Sequence, residues 1–244
     1  MMKINAEGVY YKDLNERIRK AVDSGESEII LENVNGQRYI GTNLRGSEVN
    51  IEINGVPGND LAAFMDGPNI NVRSNSQDAV GNTMNSGKVV VHGNAGDLVG
   101  HSMRGGKIYI RGDVGYRTGI HMKAYRDLFP VLIAGGTARD FLGEYMAGGL
   151  LVVLGLDGQD EIAGDYIGTG MHGGEIYLRG EVEGYQFGKE VGVKEPDDED
   201  MEKLVKYLND YAEEFGLDLD AILEKDFTRL VPSTHRPYGT IYAY

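Results

Sequence analysis

Six methionines recur at set intervals in this chain. Met65, Met84, Met103 and Met122 are nineteen residues apart, and Met146 and Met171 follow after small insertions. A column of thioethers could hold a soft ion such as Cu(I). The same spacing also follows from packing, because a flexible thioether fills a narrow interior well, and packing is the simpler reading. Of the histidines His92, His101, His121, His172 and His235, no pair has the spacing of a zinc site. His101 and His121 fall one and two residues past Gly100 and Gly119, near but not at equivalent places. His121, beside Lys123 and Arg126, is the foremost candidate among them, because its coil carries a long insertion. Gly168-Thr-Gly-Met-His-Gly173 spells Gly-x-Gly-x-x-Gly, but a dinucleotide fingerprint opens a helix, and here a β-rich row, Glu175–Leu178, follows. Asp157, Asp160, Glu161 and Asp165 have the composition of a calcium loop without its alternating register, which reads as a solvated insertion. Asp97 and Asp113 both follow turn glycines, at different places in the turn, so they do not form the stacked carboxylate pair of a carbohydrate-active β-helix enzyme. Nothing resembles Gly-x-Ser-x-Gly. No catalytic, cofactor-binding or metal-ligating residue is assigned on this chain.

The elements that would carry these residues are set by the same period. Gly81, Gly100, Gly119, Gly143 and Gly168 each stand three residues before a methionine, Ala62 takes that place before Met65, and Leu44 takes the methionine's place one coil earlier. A fixed period near 20 residues is the mark of a solenoid. Eight short rows of β-formers share the frame: Glu28–Leu31, Val49–Ile53, Asn69–Val72, Lys88–Val91, Lys107–Ile110, Val131–Ala134, Leu150–Leu154 and Glu175–Leu178. Stacked as parallel strands about 4.8 Å apart, they make a rod roughly 35 Å long. The glycines would supply positive φ or close backbone approach at the corners, and the methionines an internal ladder. The expected fold is an all-β, single-stranded β-helix of about eight coils, with N- and C-terminal capping helices. Residues 1–27 form the N-terminal cap, 28–192 the β-helix and 193–244 an acidic helical tail with an extended strap.

A β-helix leaves bare ends that need covers. Leu14, Ile18, Ala21 and Val22 lie on one face of a helix over Asp13–Ser24, stopped by Gly25. Pro196 and the acids Asp197–Asp200 open a second helix, whose stripe of Met201, Leu204, Val205, Leu208, Tyr211, Ala212 and Phe215 ends at Gly216. A short helix follows over Asp218–Glu224, and Arg229–Tyr244, with Pro232 and Pro237, reads as the strap.

Charge and composition exclude several classes of function. The net charge is −14, and Glu195–Asp226 alone holds 13 acids against 3 lysines. With no basic stripe, nucleic acid is not the expected partner. The absence of cysteine removes disulfides, a cysteine nucleophile and iron–sulfur ligation by this chain. No apolar run reaches the roughly 18 residues of a membrane helix and no signal peptide opens the chain, so a cytoplasmic location is expected.

The runs Gly81-Asn-Thr-Met-Asn-Ser-Gly87, Gly93-Asn-Ala-Gly-Asp97, Gly100-His-Ser-Met-Arg-Gly-Gly106, Ile110-Arg-Gly-Asp-Val-Gly115, Phe141-Leu-Gly-Glu-Tyr-Met-Ala-Gly-Gly149 and Gly168–Gly174 closely resemble the C-terminal GXGXG domain of the glutamate synthase large subunit. The likeness spans roughly residues 5–190. It implies a right-handed β-helix without catalytic residues, packed against glutaminase and synthase domains that carry FMN and an iron–sulfur cluster. Beginning at a methionine near the domain boundary and carrying its own acidic tail, with Phe227-Thr-Arg-Leu-Val-Pro and Arg236-Pro-Tyr-Gly, the chain resembles the stand-alone third subunit of a split, archaeal-type glutamate synthase. The expected partners are the glutaminase and synthase subunits, with FMN and the cluster on those partners, and a homo-oligomer is compatible with the same surface. The alternative is a component of a formylmethanofuran dehydrogenase, which includes a more distant relative with the same coil. The insertions near 123–130 and 155–165 are the expected places of partner contact.

Overall fold

A computed structural model describes residues 1–159 and 161–233. Its spine is an eleven-stranded sheet. β1 (Met2–Asn5) leads to α1 (Tyr11–Asp23), and then come β2 (Glu28–Asn35), β3 (Asn50–Val56), β4 (Asp66–Val72), β5 (Ser86–Val91), β6 (Gly106–Ile110), β7 (Pro130–Ala134), β8 (Ala147–Val153) and β9 (Gly173–Arg179). The chain continues through β10 (Val191–Lys194), α2 (Asp198–Phe215), α3 (Leu219–Leu223) and β11 (Phe227–Pro232). β1 to β9 lie in chain order, every neighbouring pair parallel. Glu28, Asn50, Asn69, Lys88, Lys107, Val131, Leu150 and Glu175 form one unbroken column across β2–β9. The result is a β-solenoid with one strand per turn, as the repeat predicts, of about seven turns where about eight were expected.

Alternation along each strand builds the core. Ile51, Ile70, Val89, Ile108, Leu132, Leu151 and Ile176 stack as one inward column, and Ile53, Val72, Val91, Ile110, Ala134, Val153 and Leu178 as a second. The six methionines close the interior from the other side, each at most 1% exposed. They are the internal ladder that the spacing predicts, each buried side chain contributing about 1.5–3 kcal/mol.

The turn before each strand has a backbone rule that the glycines alone do not reveal. In seven successive turns, three alternate residues are left-handed, as at Leu98, Gly100 and Ser102, or Phe141, Gly143 and Tyr145. The alternation sends successive N–H groups in opposite directions. Gly143 donates down to Thr118 at 2.8 Å, while Phe141 and Tyr145 donate up to Asp165 and Thr169, both at 2.9 Å. The central residue faces the interior: a Cβ on Gly81 would lie 2.3 Å from Ile108 Cδ1. At Gly81 glycine serves for room as well as for φ, while Ala62 fits the same central place one turn earlier, fully buried at φ 60°; the flanking residues face outward and can carry side chains at some cost in strain.

At the opposite corners, Asn and Asp side chains cap the next turn. Asn75 Oδ1 accepts from Asn94 N, Asn94 Oδ1 from Asp113 N and Asp113 Oδ1 from Thr137 N. A parallel set runs from Asp78 to Asp97 N and from Asp97 to Tyr116 N. Asp97 and Asp113 therefore belong to separate columns, as their different turn positions indicate.

The termini depart from the expected layout. β1 adds a parallel row inside the segment assigned to the helical cap. Leu14, Ile18 and Ala21 of α1 join the interior core and close the N-terminal end. α2 does not cap the far end: it lies along the outer flank of the sheet, its Leu204, Leu208 and Tyr211 packed on Val90, Tyr109, Val131, Ile133, Leu150, Val152 and Tyr177. The outward row is polar at Glu52 and Asn71 and continuously apolar from Val90 of β5 through Tyr177, which gives the helix a place to lie. At the far end β11 inserts antiparallel between β9 and β10, leaving β10 as the last strand of the sheet. The strap is a strand over 229–232, while His235, Arg236-Pro-Tyr-Gly and Pro237 lie outside the described residues, as does Asp160 of the acidic insertion.

Candidate interaction surface

The acidic tail is held to the rod by its own charges. Lys88 pairs with Glu214, Lys107 with Asp210 and Lys203 with Glu175. Arg229 of β11 joins Glu175 at 2.6 Å and Asp200 at 2.7 Å, tying the first turn of α2 to β9. Burial tends to raise the Glu175 carboxyl, but hydrogen bonds from Arg229 and Lys203 outweigh it and hold it below the usual carboxylate range. Asp197 and Asp200 form a reciprocal capping box at the helix start. Three of the tail's acids, Asp200, Asp210 and Glu214, are thus paired within the molecule.

The outer sheet face beyond the reach of α2 is polar. Asn69 donates to Asn50, and Asn50 to Glu28. A groove of about 340 Å³ opens there, bordered by Met1, Asn50, Asn71, Lys88 and Glu214. His92 meets Arg73 at 3.1 Å and packs edge-on against Phe215. Burial and Arg73 hold its imidazole below its ordinary pKa.

The left-handed corner carries a different surface. Its outward residues in successive turns include Arg117, Phe141 and Tyr166 in one column and His121 and Tyr145 in the other. Phe141 and Tyr166 stack with centroids 4.9 Å apart and planes 11° apart, and the Arg117 guanidinium sits 5.1 Å from the Phe141 ring centre. His121 and Tyr145 stack at 5.3 Å and 12°. His101 lies 6.1 Å from His121, and burial, then His121, keeps its imidazole neutral to lower pH than usual. Glu144, nearly buried between the columns, accepts from Arg117 Nε at 3.1 Å.

The residues singled out by sequence divide accordingly. His101 and His121 do come together, beside an aromatic ring and not beside a third ligand. Among the described residues no group of three or more His, Asp and Glu could hold a metal ion. Gly168, Gly170 and Gly173 form another copy of the turn that leads into β9. The insertion near 123–130 folds back through a Tyr125–Leu128 bridge, and its Phe129 stacks on Tyr207 of α2. In the insertion near 155–165, Ile162 packs on the interior core and Leu156 on the outer cluster that α2 covers. The aromatic columns are not evident from the glycine and methionine of Gly-x-x-Met, which dominate the repeat. Their signal is the residue just before methionine, where Phe64, His121 and Tyr145 stand.

This turn chemistry has a counterpart among known proteins: the GXGXG motif family matches residues 14–235. The chain belongs to that family. An uncharacterized protein of Methanocaldococcus jannaschii is similar to it, 48% identical over 248 residues that cover 98% of this chain and 95% of the relative. In this GXGXG protein the repeated glycines are the inward residues of left-handed turns. The variable positions beside them are what the rod displays. No helix among the described residues is long and apolar enough to cross a membrane.

Proposed function

We propose that this GXGXG protein is a non-catalytic scaffold subunit of a glutamate synthase-like complex, docking a glutaminase and a synthase subunit in the cytoplasm. Family membership supports the reading, since the motif occurs in the glutamate synthase large subunit. The observation that carries it is the fate of the repeat's polar groups: the carboxylates of Asp78, Asp97 and Asp113 and the amides of Asn75 and Asn94 all accept from the next turn's backbone. A rod bonded to itself in this way is rigid, and suited to holding other proteins in register.

The chain has no cysteine. Its residues therefore do not fit an iron–sulfur cluster, and in this reading both the cluster and FMN reside on partner subunits. The reaction served would move ammonia released from glutamine onto 2-oxoglutarate. Co-purification tests the proposal: the tagged chain should retain glutaminase and synthase subunits made separately from the same genome. Retention of neither would defeat it, and recovery of a molybdopterin subunit instead would favour the formylmethanofuran dehydrogenase alternative.

A further inference from the structure

We infer that the aromatic columns at the left-handed corner, Arg117–Phe141–Tyr166 and His121–Tyr145, are the anchor of the docking surface. The occupant they fit is a partner-protein segment presenting an apolar side chain flanked by carboxylates. This inference rests on the scaffold reading and names the face that would serve it.

Three observations converge. The first is that the fold does not ask for rings at these places. The equivalent outward positions of other turns hold Asn43, Asp60, Ala79, Thr83 and Ser102 as well as Tyr39, Phe64 and Leu98, all in the same left-handed conformation, so the turn closes equally well around small residues. A bulky side chain at positive φ is strained, and such strain gathers at working surfaces. Three aromatics at these positions in consecutive turns increase that strain without filling the interior.

The second is exposure combined with order. Tyr145 is 44% and Tyr166 55% exposed, and neighbouring Tyr116 is 49% exposed. Contiguous exposed aromatic area of this kind marks interaction sites, and Tyr and Arg are the residues most enriched at binding hot spots. Because the rings already stack on one another, a partner orders few side chains on arrival, which lowers the entropic cost of association.

The third is charge. Of the six Lys and Arg in residues 98–126, Lys107 pairs with Asp210 of α2 and Arg117 with Glu144. Arg104, on the turn that carries His101, and Lys123 and Arg126, just past His121, are exposed. A basic flank on an otherwise acidic rod selects acidic partner surface and steers its approach. Nucleic acid is the less favoured occupant, since the acidic remainder of the rod repels a polyanion.

The experiment measures binding of the full-length chain to separately purified glutaminase and synthase subunits at two salt concentrations. Three variants are compared with the wild type: Tyr145→Asn, the double Phe141→Asn/Tyr166→Asn, and the double Arg104→Glu/Lys123→Glu. Asparagine accepts the left-handed conformation readily, so the ring variants should keep the wild-type circular dichroism and melting temperature. The ring variants should bind one subunit at least about tenfold more weakly. The charge variant should associate more slowly and lose most of its salt dependence.

Folded ring variants that bind like the wild type would overturn the inference and leave the scaffold reading standing. A wild-type chain that binds neither subunit defeats both. Binding of single-stranded nucleic acid that depends on the same rings would overturn the protein occupant. If the double variant melts early, Tyr145→Asn alone decides the matter on the same criteria.

Discussion

The buried hydroxyl of Tyr109 donates a 2.9 Å hydrogen bond to Asp210 Oδ2, joining the outer face of β6 to α2, and Lys107 pairs with the same oxygen. Tyr109 also meets Tyr211 edge-to-face at 5.6 Å, and the Tyr211 hydroxyl donates to Ile110 O at 3.1 Å. One carboxylate, two tyrosines and a lysine thus clasp the helix to the rod.

That clasp should open in acid. Burial tends to raise the Asp210 carboxyl, but hydrogen bonds from Lys107 and Tyr109 hold it below the usual range. A folded-state pKa below the unfolded one stabilises at pH above the unfolded value of about 3.9, and the stabilisation drains as pH falls through the depressed value. Glu175 behaves alike. Melting temperature followed from pH 7 to pH 2 should fall below about pH 4, with Asp210→Asn flattening part of the drop. A profile unchanged by that variant would show that the clasp contributes nothing.

Gly135 marks the tightest approach of helix to sheet, where a Cβ would lie 2.2 Å from Tyr211 Oη and 2.3 Å from Arg111 O. Since backbone stands on one side, Gly135→Ala must displace Tyr211 or the strand, and should cost about 1–3 kcal/mol as an overpacking change. Chemical denaturation measures it. Tyr211→Phe combined with Gly135→Ala should recover part of the loss.

The methionine ladder predicts a sharp contrast at one site. Met103→Asp places a carboxylate in a dry, apolar column and should destabilise by about 4 kcal/mol or abolish folding, whereas Met103→Leu should stay within about 1.5 kcal/mol. Equal stability of the two variants in a thermal melt would place Met103 at the surface, against its complete burial.

The corner caps give the fourth prediction. Asp97 Oδ1 accepts from Tyr116 N at 2.9 Å and fills the space where a Cβ on Gly115 would stand, 2.1 Å away. Asp97→Ala should cost about 1 kcal/mol for the lost bond. Gly115→Ala should cost more, since Asp97 is expelled and its bond broken together. Amide exchange of Tyr116 should quicken in both.

The residues themselves determined the coil. A nineteen-residue period, β-formers at fixed phase and an apolar residue after each Gly-x-x can be satisfied together only by stacked turns with one strand each, so the rows, the register and the buried methionines were legible in the chain alone. Local periodicity repeated many times constrains a solenoid because each turn contacts only its neighbours. The course of α2 was not legible. Its apolar stripe fits any apolar surface, and whether that surface lay at the end of the rod or along its flank depended on Tyr109, Ile133, Val152 and Tyr177 meeting across strands distant in the chain. β1 and β10 were missed because four residues carry too little pattern on their own. The aromatic columns were hidden for a related reason: Arg117, Phe141 and Tyr166 lie roughly a turn apart in sequence, and only the left-handed backbone brings their side chains outward and into contact. Sequence set the pitch of the rod, and tertiary structure decided what its faces carry, because a face is made of residues that the chain holds far apart.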